Sequence, residues 1–100
     1  MIYSMTKENY DEIIGEGKPV FIDFWAAWCG HCSRMSPIVE KLAENHSEVA
    51  VCKVNVDEQP ELSEKFSVKA LPTFVTLKDG KASAQYIGAC GIDKLEQMLS

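Results

Sequence analysis

The chain has 100 residues, 46% of them hydrophobic and 25% charged, with a formal net charge of -5. That is ordinary globular composition for one domain over residues 1–100, and it excludes disorder, collagen-like repeats and coiled coil. It also excludes a membrane span, since no apolar run approaches the roughly 18 residues required, and argues against nucleic acid, which needs a clustered basic surface.

Taken in chain order, Ile2-Tyr3-Ser4-Met5 is short and strand-like, and Thr6 is expected to cap a helix running to Ile14, ended by Gly15 and Gly17. Val20-Phe21-Ile22-Asp23-Phe24-Trp25 is a β-rich, nearly continuous apolar run, predicting a strand buried on both faces. Behind it a helix is predicted to about Asn45, because Met35, Ile38, Val39, Leu42 and Ala43 recur at helical spacing. Pro37 lies inside that pattern and predicts a kink. Val49–Val56 reads as a second buried strand and Glu58–Phe66 as a short helix. Thr73–Leu77 and Ala82–Ile87 flank Asp79-Gly80, a hairpin signal, and a last helix carries Ile92, Leu95, Met98 and Leu99 on one side. This alternation is that of an α/β layered domain.

There are four cysteines. Cys29 and Cys32 form a Cys-x-x-Cys, while Cys52 and Cys90 stand alone in apolar surroundings and read as buried small hydrophobes. The pattern points to redox chemistry or metal rather than to structural staples. A strand feeding directly into a helix puts Cys29 at the helix N-terminus, where unpaired N–H groups and the dipole favour a thiolate. With that position and with exposure, Cys29 is the expected first nucleophile. Cys32, one helical turn later, lies on the same side, so the two sulfurs can close into a disulfide and reopen. Zinc is disfavoured because no second Cys-x-x-Cys supplies a tetrahedral set, and His46 is expected on the surface. Haem attachment would need histidine where Ser33 stands.

Phe21-Ile22-Asp23-Phe24-Trp25-Ala26-Ala27-Trp28-Cys29-Gly30-His31-Cys32 resembles the active-site region of the thioredoxin family. The resemblance continues through Pro37, Lys53-Val54-Asn55-Val56-Asp57, Leu71-Pro72-Thr73, Asp79-Gly80 and Gly88, over essentially the whole chain. It implies a thioredoxin fold, a central mixed five-stranded sheet flanked by four helices. It also implies a cis Pro72 facing the cysteines, in a substrate groove that includes Trp28, Leu71 and Gly88.

One residue departs from that pattern. Where thioredoxins usually carry proline, this chain has His31, and Cys-Gly-His-Cys resembles protein disulfide isomerase; Asp23 and Trp25 resemble thioredoxin instead. Gly30 and His31 are the expected tuners of the couple, since a positively charged imidazole near Cys29 favours its thiolate. The residue pattern alone leaves open whether Asp23 and Lys53 are buried neighbours or reach solvent at strand ends. The resemblance favours burial, with Asp23 as the base for the Cys32 thiol and Lys53 beside it. Trp25 is read as mainly structural.

The expected reaction is reduction of protein disulfides through Cys29 and Cys32. Oxidase or isomerase activity, or a non-catalytic binding module, are the alternatives. No Gly-rich dinucleotide motif is present, so no cofactor is expected, and electrons are to come from a separate thioredoxin-reductase-type donor. A monomer acting on disulfide-containing client proteins is expected. The N-terminus lacks a signal-peptide pattern, which points to the cytoplasm unless a leader has been removed.

Overall fold

In the computed structural model, which describes Met1–Ser100, the elements are β1 (Ile2–Ser4), α1 (Tyr10–Gly15), β2 (Val20–Trp25), α2 (Gly30–Asn45), β3 (Ala50–Asn55), α3 (Pro60–Lys65), β4 (Thr73–Lys78), β5 (Lys81–Ile87) and α4 (Ile92–Met98). The five strands form one sheet in the order β1-β3-β2-β4-β5. β3 runs parallel to both β1 and β2, while β4 is antiparallel to β2 and to β5. This is the mixed five-stranded sheet with four helices implied above. No helix is long and apolar enough to cross a membrane.

Side-chain alternation along the central strands divides the core into two layers. Val20, Ile22, Phe24, Ala50, Cys52, Val54, Val75 and Leu77 face α1 and α3, meeting Ile13 and Leu62. Phe21, Val51 and Phe74 face α2 and α4, meeting Met35, Val39, Leu42, Leu95 and Met98. Both faces of β2 are therefore covered, which is why its sequence is apolar almost without interruption. By the same alternation Asp23 and Lys53 fall on the α2 face, and the register makes them direct neighbours across β2 and β3.

Two helices begin later than the sequence predicts. Thr6 does not cap α1: its N–H donates to Asn9 Oδ1 at 2.8 Å and its Oγ1 accepts from the Asn9 N–H at 3.3 Å. This reciprocal pairing closes a turn, and the helix starts only at Tyr10. Ahead of α3, Asn55 Oδ1 accepts from the N–H groups of Asp57 and Glu58, and the Asn55 carbonyl accepts from Glu58 and Gln59. Those bonds hold residues 56–58 in a turn, and Pro60 then opens the helix at a position where a missing N–H costs nothing. The hairpin is as predicted, with left-handed backbone at both Asp79 (φ 53) and Gly80 (φ 78).

Candidate active site

Cys29 is the N-cap of α2, with extended backbone, and its Sγ accepts a hydrogen bond from the Cys32 N–H at 3.2 Å. The sulfur thus takes one of the donors that a helix start leaves free, and a thiolate would strengthen that bond. Cys29 and Cys32 are joined as a disulfide, with their Cα atoms 5.3 Å apart. The expectation that Cys29 stands exposed is corrected: it is 7% exposed and Cys32 is 5%. Both pack with Ala26 against Trp25, Val56 and Leu71, whose apolar side chains cover them from water.

Asp23 is 1% exposed, and its Oδ1 has no hydrogen-bond partner. Desolvation pushes its carboxyl up to about 6, with the nearby Lys53 charge pulling the other way. The two side chains nevertheless form no ion pair. Lys53 Nζ instead donates to Ser36 Oγ at 3.2 Å and lies 5.5 Å from the centroid of the Trp25 ring. A cavity of about 260 Å³ connects Lys53 and Ser36 to Cys32, lined by Trp25, Ala26, Ala27, Cys32, Ser33, Ser36 and Lys53.

The remaining predicted positions gather around the cysteines. The Leu71–Pro72 bond is cis, Leu71 packs on the cysteine cluster, and the Pro72 carbonyl accepts from the Gly88 N–H at 2.8 Å. Gly88 has φ 107, a left-handed region that a side chain would strain. Gly30 and His31 form the exposed first turn of α2. Trp28 is 72% exposed, yet its Nε1 donates to Asp57 Oδ2 at 2.9 Å, so the indole is tethered at the rim.

Asp57 and Ser36 were not among the predicted site residues. Ser36 follows Cys32 by four positions, a spacing that puts both on one helix face and was therefore readable. The Trp28–Asp57 bond spans 29 residues and had no local signal.

Cys52 is fully buried and its thiol is pushed up to about 12, desolvation being the main cause. Cys90, expected to be buried, is only half-buried: it sits in the loop before α4, where its N–H meets Met35 Sδ at 3.5 Å. No group of three or more His, Cys, Asp or Glu side chains is placed to hold a metal ion. His46, at the C-terminal end of α2, bonds Glu48 and Glu96.

The thioredoxin family model matches residues 1–100. A thioredoxin of Alicyclobacillus acidocaldarius subsp. acidocaldarius is 42% identical over 98 residues, covering 97% of this chain and 93% of that protein. A thioredoxin of Chlamydia trachomatis serovar D is 36% identical over 100 residues, covering 100% and 97%. The X-ray structure of Fasciola hepatica thioredoxin superimposes with a TM-score of 0.89 at 39% identity, covering 99% of this chain and 97% of that one. With a disulfide-forming pair at the start of α2 and relatives matched over nearly their full length, the chain belongs to the thioredoxin family and is a thiol–disulfide oxidoreductase.

Proposed function

We propose that the chain is a protein-disulfide reductase in which Cys29 attacks, Cys32 resolves and Asp23 moves the proton. The observation that carries this is a helix start offering an N–H to one sulfur, with a buried carboxyl bearing an unpaired oxygen in the strand that feeds that helix. In the reduced protein, the Cys29 thiolate attacks one sulfur of a client disulfide. That bond breaks, a mixed disulfide forms, and the departing client sulfur takes up a proton. Cys32 then gives its proton to Asp23, the buried neighbour of the cavity-lining Lys53, and its thiolate attacks Cys29. The Cys29–client bond breaks, the second client thiolate leaves and is protonated, and the Cys29–Cys32 disulfide remains. Two electrons have passed to the client, and a thioredoxin-reductase-type donor returns the pair to the dithiol.

The client chain lies against the cis Leu71–Pro72 bond and Gly88, with Trp28 as the wall of the groove. Its backbone pairs beside Pro72, and Trp28 meets its side chains. Gly30 lets the client approach the Cys29 sulfur closely, and His31 biases the couple toward the dithiol. The working unit is one domain of residues 1–100, a cytoplasmic monomer that uses no cofactor of its own.

A disulfide-reduction assay on Cys29→Ser tests this reading directly. Loss of turnover is expected, and undiminished turnover would end it. His31 favours a second reading, oxidation or isomerisation. That reading gains if Cys32→Ser keeps isomerase activity while losing net reduction.

A further inference from the structure

Lys53 lies directly beside Asp23 in the sheet register, on the face that α2 covers. A flexible ammonium in that position has every electrostatic reason to pair with the carboxyl, yet no such pair is formed. Its Nζ is held by Ser36 Oγ at 3.2 Å and by the face of Trp25, while Asp23 Oδ1 is left without a partner. Ser36 is half-buried and stands one turn beyond Cys32 on the same side of α2, so both line one wall of the 260 Å³ cavity.

We propose that Ser36 is a positioning residue, whose hydroxyl holds the Lys53 ammonium off the Asp23 carboxyl and so leaves that carboxyl free to accept the Cys32 proton. The alternative geometry, a closed Lys53–Asp23 ion pair, would stabilise the carboxylate and weaken it as a base. The groups facing Asp23 are few. Phe74 is its neighbour across β4 and Lys53 across β3, the helix α2 covers this face, and Lys53 is the one charge that acts on it. Against the desolvation that raises the carboxyl, the ammonium is the one charge left to tune how readily it holds a proton, and Ser36 sets the ammonium's position.

This inference rests on the reading of Asp23 as the base, and the test separates the two. In the full chain, the Asp23 carboxyl is titrated by carbon-13 NMR in wild type, Ser36→Ala, Lys53→Met and the double variant. Alanine is the best helix former, so Ser36→Ala leaves α2 intact. The expected result is a downward move of the Asp23 midpoint by about one pH unit in Ser36→Ala, as the freed ammonium closes on the carboxyl. The double variant is expected to titrate like Lys53→Met alone, because the effect runs through the ammonium. An unchanged or raised midpoint in Ser36→Ala, or a shift that survives in the Lys53→Met background, overturns the proposal. If the midpoint moves as expected while Asp23→Asn turns over like wild type, Ser36 does position Lys53 and the base reading is what fails.

Discussion

The two ends of α2 treat their polar groups in opposite ways. At the N-terminal end, Asp23 is 1% exposed with Oδ1 unpaired, while the neighbouring ammonium is turned away to Ser36. At the C-terminal end, His46 is bonded on both ring nitrogens, Nδ1 to Glu48 at 3.2 Å and Nε2 to Glu96 at 2.7 Å. Burial penalises the charged form at the first end, whereas bonds to Glu96 and Glu48 favour it at the second and raise the imidazole value. A proton is therefore mobile near neutrality beside the redox pair, and a satisfied charge tethers α2 to α4 far from it. The site end thus leaves a buried carboxyl unpaired at a cost in stability, whereas the remote end satisfies its polar groups.

The largest break in that comparison is Asp23→Asn. Removing the carboxyl should slow turnover near neutral pH by about tenfold or more, measured as disulfide reduction. The same change should stabilise the fold, with a sign fixed by linkage. The folded-state value near 6 lies above the ordinary 3.8, so the folded chain holds the proton more tightly than the unfolded one. Wild-type stability thus falls as pH rises between those values and is level above them. Relative to wild type, the Asn variant should gain progressively over that range, by at most roughly 3 kcal/mol, in denaturant titrations. A thermal midpoint that dropped with turnover unchanged would contradict both parts.

His31→Pro should have an intermediate effect. Proline is tolerated in the first turn of a helix, so the variant should fold. Replacing the imidazole two residues after Cys29 should lower the reduction potential by about 30 mV, the equivalent of about 1.4 kcal/mol for two electrons. The wild-type couple should lie between the values near about -270 mV for thioredoxin and about -180 mV for protein disulfide isomerase. Equilibration against glutathione measures it, and an unchanged potential would remove His31 from the account.

The smallest effect is expected at the other end of α2. His46→Ala should cost under about 1 kcal/mol, mainly through the Glu96 bond, with redox activity intact. Because the folded-state value of His46 is raised, its contribution is full below the unfolded value of 6.5 and is lost as pH rises through the folded one. Stability curves at pH 5 and pH 9 check this, the difference between variant and wild type vanishing at the higher pH.

Much of this was legible in the sequence because strong local signals agreed with tertiary demands. Val20–Trp25 could only be a strand covered on both faces, and Asp79-Gly80 could only turn a hairpin. The Cys29–Cys32 pair and its place at a helix start followed from the same reasoning. The starts of α1 and α3 did not, because Thr6–Asn9 and Asn55 spend their side chains on local turns that compete with helix. Burial of Asp23 was undecided from pattern alone, since a charged residue in an apolar strand fits either face or end. It became definite only with α2 packed over it. The Trp28–Asp57 tether and the half-buried Cys90 depend on loops brought together from distant segments, for which no periodicity exists.

The division of labour between the two cysteines is the centre of the account, and trapping the mixed disulfide tests it most directly. Cys32→Ser, with its remaining cysteines reduced, is mixed with a disulfide-bonded client, and the covalent adduct is mapped by mass spectrometry. The account predicts an adduct that accumulates on Cys29, with Cys52 and Cys90 unmodified. No adduct with Cys32→Ser, together with one on Cys32 in Cys29→Ser, would contradict it.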